Sequence, residues 1–306
     1  MIPNQGEKQM NKSFKGVFAA LTTPFLKDEI SIDKFRENIQ KYNHHDLSGY
    51  VILGSTGESV YLSDEESEKL AAAAKENASP EKKILVGTAR ESTKITIEFT
   101  NRMAELGIDA ALVRTPHYFK SFMTREALKS FYLTIADQSK VPVIIYNIPR
   151  NTGISVDSHL LFELAEHPNI TGIKESSGNL SFMAEVIPYL NPDYSFLTGA
   201  GSVFLPGLIL GASGAILALA DAVPEECASI YNLFLEGKKE EAKNLQLHLV
   251  PLNKAIIQTF GIPGLKYALN LLGYYGGPPR PPLLPLDEKG EREMDSILGK
   301  LNLLKK

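Results

Sequence analysis

Three short stretches in this 306-residue chain carry side chains that could do covalent or acid–base chemistry. The first is Gly172-Ile173-Lys174-Glu175-Ser176, an apolar run that ends on a lysine. A lysine at the inner end of a buried strand either snorkels outward or loses its water, and an amine stripped of water is a nucleophile toward carbonyls. Attack on a keto carbon would give an imine, whose protonated form draws electrons from the adjacent carbon. An ion pair with Glu175 is the plainer use of the same lysine. The second stretch runs from Val143 through Tyr146-Asn147-Ile148-Pro149-Arg150-Asn151-Thr152-Gly153. It puts a phenol at a strand end, where it could relay protons or simply cap the core. The third, Gly54-Ser55-Thr56-Gly57-Glu58, joins two glycines, which free backbone N–H groups, to two hydroxyls. Such a loop can hold a carboxylate or a phosphate, although an ordinary hydroxyl-capped glycine turn has the same composition.

Side chains at strand ends act together only if the strand ends converge. Eight apolar, β-branched runs read as buried strands: 17–21, 50–53, 84–87, 110–113, 143–146, 172–174, 196–198 and 215–217. Helical patterns lie between most of them, at 63–76, 93–106, 125–138, 157–166 and 180–190, the first opened by a Ser63/Glu66 capping box. Strand–helix alternation with continuously apolar strands means a parallel sheet buried on both faces. Eight such units in about 220 residues fit a closed α/β (β/α)8 TIM barrel better than an open doubly wound sheet. The strands stop after Ala222, and helical patterns follow at 224–236, 240–259, 263–272 and 291–304. The expected organisation is therefore a flexible N-terminus over residues 1–13, a barrel over 14–222 and a C-terminal helical extension over 223–306. The proline-rich Gly276 to Leu286 tract reads as a packed connector, or else as a polyproline ligand.

Composition removes other classes. A formal net charge of -4 leaves no general basic field for a polyphosphate backbone, so no nucleic-acid partner is expected. No apolar stretch is long enough to span a bilayer, and the polar first dozen residues lack the look of a signal or transit peptide. The single cysteine, Cys227, cannot form an intrachain disulfide, and no His/Cys cluster suits zinc. The expectation is a reduced, cytoplasmic protein with no metal and no membrane role, Cys227 serving to pack a helix. A phosphosugar site on Gly199-Ala200-Gly201 and Gly211-Ala212-Ser213-Gly214 is one rival reading for a barrel, but no lysine or arginine accompanies those glycines. A non-catalytic binding barrel would have no use for lysine, phenol and hydroxyl together.

These motifs, in this order, resemble the dihydrodipicolinate synthase/N-acetylneuraminate lyase family of class I, pyruvate-handling aldolases. The resemblance runs from Gly16-Val17 and Leu21-Thr22-Thr23-Pro24-Phe25 to Pro281-Pro282-Leu283. It implies that Lys174 forms the Schiff base, that Tyr146 relays protons and that Ser55 links the relay. It further implies that Thr56 and the Gly57 loop hold the keto-acid carboxylate, and that the Ile216 backbone lies against the keto acid. Tyr118 would reach into a neighbouring subunit of a homodimer or homotetramer. The implied partners are a small 2-keto acid and an aldehyde, and the chemistry needs no cofactor. Within the family, Asn151 stands where synthases place an arginine that grips aspartate semialdehyde, with Arg150 one residue earlier. His117 replaces a tyrosine common in lysine-inhibited synthases. Pro149-Arg150-Asn151-Thr152-Gly153, Glu166-His167-Pro168-Asn169-Ile170 and the stretch from Phe260 to Pro278 look instead like 4-hydroxy-2-oxoglutarate aldolases, which release pyruvate and glyoxylate, although those of animals carry asparagine at the position of Thr56. Cleavage of 4-hydroxy-2-oxoglutarate is thus the expected reaction, with dihydrodipicolinate synthesis as the alternative.

Overall fold

The eight apolar runs become eight parallel strands in the computed structural model, which describes residues 13–304. They are β1 (Gly16–Ala20), β2 (Gly49–Ile52), β3 (Lys83–Gly87), β4 (Ala110–Arg114), β5 (Val143–Asn147), β6 (Ile170–Glu175), β7 (Ser195–Thr198) and β8 (Gly214–Leu217). Each pairs with its sequence neighbours, and β1 pairs with both β2 and β8, so the sheet closes. Side chains alternate across a strand, and here the alternation divides two environments. Phe18, Val51, Leu85, Leu112, Ile144 and Ile216 fill the barrel interior. Their strand neighbours Val17, Tyr50, Ile84, Val113, Ile145 and Leu217 pack outward against the helices. Both faces are dry, which is why the strands read as unbroken apolar runs.

The expected helices appear as α2 (Asp64–Asn77), α3 (Thr93–Glu105), α4 (Arg125–Gln138), α5 (Ser158–Ala165) and α6 (Leu180–Val186). The Ser63/Glu66 capping box forms with both of its bonds. Two more helices complete the alternation. The first, α1 (Ile32–Tyr42), buries Phe35, Asn38, Ile39 and Tyr42 on one face at regular helical spacing; its Ser31 cap makes no side-chain bond, and the segment was not among the expected helices. The other, α7 (Phe204–Ile209), is six residues long and contains Pro206 and Gly207, both poor helix formers. A two-residue-per-strand hairpin, Phe25–Leu26 with Glu29–Ile30, precedes α1.

Beyond β8 come α8 (Pro224–Leu235), α9 (Lys239–Lys254), α10 (Gly261–Leu271) and α11 (Glu288–Lys300). The first of these packs on β1 and α7, in the place of the outer ring's eighth helix. Cys227 is buried in it, and burial pushes the thiol up, as suits a packing role. The connector between α10 and α11 is packed: Arg280 grips Glu66 with two nitrogens and bonds the carbonyls of Tyr61 and Asp28. No helix among the described residues is long and apolar enough to cross a membrane. Residues 1–12, and with them nearly all of the expected N-terminal segment, lie outside the described residues.

Candidate active site

The register of β5 against β6 sets Tyr146 directly beside Lys174 at the mouth of the barrel. Lys174 is 4% exposed, and its Nζ lies 4.3 Å from the centroid of the Tyr146 ring. Glu175 is the next residue on β6, so its side chain leaves the opposite face of the sheet. There it accepts hydrogen bonds from Asn147 Nδ2 and the Ser177 N–H, with Asn147 fixed in turn by the Val156 N–H. No ion pair joins Lys174 to Glu175 among the described residues, so the plainer reading of that lysine is overturned by strand alternation. The amine faces the cavity with a phenol beside it.

Ser55 Oγ stands 3.4 Å from the Tyr146 hydroxyl, a long contact that brings the third motif to the other two. The Gly54–Glu58 loop is held by its own backbone. Gly54 O accepts from Gly57 and Ser59, and Ser55 O accepts from Glu58. Gly57 O accepts from the Thr23 hydroxyl at 2.6 Å. With the Gly57 N–H so engaged, the N–H groups of Ser55 and Thr56 are among those of the loop with no protein partner among the described residues. Non-glycine residues in the left-handed region, Leu53 at φ 56° and Glu58 at φ 54°, bound the loop. Such conformations persist only where surrounding contacts hold them.

A cavity of about 710 Å³ opens above these groups. Ser55, Thr56, Tyr146, Arg150, Asn151, Lys174 and Ile216 all line it; Gly57 and Tyr118 do not. Arg150 and Asn151 sit on a one-turn helix, Pro149–Thr152, directly after β5. The C-terminal extension supplies a further wall through Phe260, Leu283 and Leu284. Two lining groups escaped the sequence reading. Ser176 Oγ and Asn253 Oδ1 are buried without hydrogen-bond partners, placed so that a bound substrate could engage them. Ser176 follows the lysine in sequence and was within reach of a strand-end reading; Asn253, on α9, carries no local signal. Among the described residues no group of three His, Cys, Asp or Glu is arranged to hold a metal ion.

Tyr118 lies in the loop after β4, 78% exposed, with its ring edge-on to Phe119 at 5.0 Å. Glu91 ties this loop down by accepting the N–H groups of both His117 and Tyr118. Burial would raise the Glu91 carboxyl, but these two bonds and Arg114 hold it below the usual carboxylate range. The His117 pKa is lowered as well, by burial first and then by the Arg114 charge. Its Nδ1 lies 2.7 Å from an Arg114 nitrogen and 2.8 Å from Glu91 Oε1, whose charge opposes the lowering.

A buried amine beside a phenol, at the C-terminal mouth of a closed eight-stranded barrel, is an arrangement chemically able to form a Schiff base with a keto acid. Residues 13–301 match the model of the dihydrodipicolinate synthetase family. A 4-hydroxy-tetrahydrodipicolinate synthase of an Exiguobacterium species is 33% identical over 290 residues, covering 94% of this chain and 98% of that one. The synthase of Methanocaldococcus jannaschii is 34% identical over 293 residues, covering 95% and 100%. The crystal structure of dihydrodipicolinate synthase from Aquifex aeolicus superposes with a TM-score of 0.90 at 31% identity, covering 96% of this chain and all of that one. The chain belongs to the dihydrodipicolinate synthetase family and is a class I aldolase, an enzyme that makes or breaks a carbon–carbon bond.

Proposed function

We propose that this enzyme condenses pyruvate with aspartate semialdehyde on Lys174, the reaction named for the relatives it matches along nearly its full length. The observation that carries the Schiff-base part is the convergence of Lys174, Tyr146 and Ser55 on one cavity. The amine attacks the keto carbon, the former carbonyl oxygen leaves as water, and loss of a methyl proton gives an enamine. The enamine carbon bonds to the aldehyde carbon, and the aldehyde oxygen takes up a proton. Tyr146 serves as that acid, with Ser55 linking it to the rest of the relay. The unclaimed N–H groups of Ser55 and Thr56 suit the keto-acid carboxylate, with Ile216 against its body. The sequence reading put cleavage of 4-hydroxy-2-oxoglutarate first because Asn151 replaces an arginine. Arg150 lines the same cavity, which keeps a guanidinium available for a second carboxylate and supports the synthase reading. Cleavage remains the second reading, resting on Asn151. Tyr118, exposed and outside its own protomer's cavity, is assigned to a neighbouring copy's site in a homodimer or homotetramer.

Borohydride reduction in the presence of pyruvate tests the first half. One reduced pyruvyl unit should appear on the peptide carrying Lys174, and Lys174→Ala should gain none. An unchanged mass in the unsubstituted protein, or an equal gain in the variant, removes the aldolase reading of this site. The second half rests on a ratio: kcat/KM for condensation, followed by dipicolinate absorbance, should exceed that for pyruvate release from 4-hydroxy-2-oxoglutarate. The reverse order puts cleavage first.

A further inference from the structure

Neither Glu58 nor Lys266 lines the cavity, yet together they form an ion pair that is almost completely enclosed. Lys266 Nζ lies 2.6 Å from Glu58 Oε1, with side-chain exposures of 1% and 0%. The second Glu58 oxygen accepts the Arg280 N–H at 2.9 Å, and Lys266 donates to the Pro278 carbonyl at 2.9 Å. Lys266 and Arg280 also face the Phe25 ring, at 4.4 and 4.5 Å from its centroid. All three cationic and carbonyl partners of this cluster belong to the C-terminal extension: Lys266 to α10, Pro278 and Arg280 to the connector after it. Glu58 belongs to the barrel, as the last residue of the Gly54–Glu58 loop, and its backbone is left-handed there. Its own N–H returns to the Ser55 carbonyl. A shift at Glu58 is therefore passed by one hydrogen bond to the Ser55–Thr56 peptide unit, which carries the Thr56 N–H, while the next residue, Ser59, donates to the Gly54 carbonyl of the unit that carries the Ser55 N–H.

We propose that Glu58 and Lys266 are positioning residues: their buried pair ties the C-terminal extension to the carboxylate-holding loop and sets the aim of the Ser55 and Thr56 N–H groups. The inference rests on the reading that this loop receives the keto-acid carboxylate. A buried ion pair is weak evidence of stability, since apolar or neutral replacements of the whole pair are often tolerated. What an enclosed pair does supply is a fixed distance between two segments, here a loop in a costly conformation and a helix far along the chain. On this account the extension is part of the keto-acid site, although its charged residues never touch substrate.

The test is the pyruvate dependence of borohydride trapping and of turnover in E58Q, K266M and the double variant E58Q/K266M, each checked by thermal melting. A lost positioning contact should raise the pyruvate concentration for half-maximal trapping about tenfold or more, while kcat at saturating pyruvate stays within about threefold. K266R, which keeps the cation, should recover much of the affinity. If a single substitution leaves a buried charge unpaired and the chain does not fold, the uncharged double variant still answers the question. A folded variant whose half-saturation lies within about twofold of the unsubstituted protein overturns the inference, as does a loss of kcat that merely follows the melting temperature. No trapping in the unsubstituted protein would instead remove the keto-acid reading and this inference with it.

Discussion

At the scale of single residues, the site is a matter of which face of a strand each side chain leaves. Lys174 and Tyr146 are paired in register and point inward, whereas Glu175 and Asn147, one step on, are paired on the outer face. The same sequence with the lysine moved by one position would bury an ammonium among helices and leave the cavity without a nucleophile. Tyr146 is the group best placed to move protons near the amine. Tyr146→Phe should lower kcat by about two to four orders of magnitude, the usual worth of a positioned acid–base group. Pyruvate trapping at long incubation should survive, since imine formation needs the amine before it needs the phenol. Steady-state rates set against trapping stoichiometry would check this, and a variant with near-normal kcat would take the relay role from Tyr146. Ser55→Ala should cost less, because its contact with the phenol is long.

Between elements, the barrel is joined at its closure by a second buried carboxyl. Asp221, on the one-turn helix after β8, accepts from the Tyr42 hydroxyl of α1 at 2.6 Å and from the Thr22 N–H after β1 at 3.1 Å. Burial pushes its carboxyl up to about 7, against the opposing pull of those two bonds. A raised folded pKa means that the native protein keeps a proton which the unfolded chain has already released. Stability from this group is full below the ordinary aspartate pKa and is lost as pH rises through about 7. The difference in unfolding free energy between the unsubstituted protein and D221N should therefore fall between about pH 4 and pH 7, by roughly 4 kcal/mol at most. Denaturant melts across that range measure it; parallel profiles for the two proteins would show that Asp221 stays ionised throughout.

For the whole molecule, the exposed aromatics Tyr118, Phe119 and Phe122 gather on one loop region after β4, an apolar surface of the kind that associates. Tyr118→Phe and Lys174→Ala proteins, separately inactive, should regain activity when co-refolded, because some mixed dimers then hold one site with both groups intact. Random mixing in equal amounts should restore about a quarter of the sites. A mixture that stays inactive, although mixed oligomers form, would place Tyr118 over its own barrel; a fully active monomer would end the idea of a shared site.

Short-range regularities were legible in the sequence because they depend on neighbours: unbroken apolar strands from burial on both faces, the Ser63/Glu66 cap from a three-residue spacing, and the barrel from the count of βα units. Where the local signal was thin, as in α7 with Pro206 and Gly207, it fell short, whereas α1 has a regular buried face that the reading passed over. The three site motifs were readable too, since each ends a strand or follows one. Only the closed fold decided that Gly57 spends its N–H on Gly54, that Glu175 turns away from Lys174, and that Asn253 and Phe260 reach the cavity. The bond from Arg280 to Glu58 spans 222 residues, and Lys266 meets the same carboxylate from a different helix. No periodicity records such a meeting. It exists because closing the barrel and packing the extension across its mouth bring distant charges into one dry space, where each must find a partner.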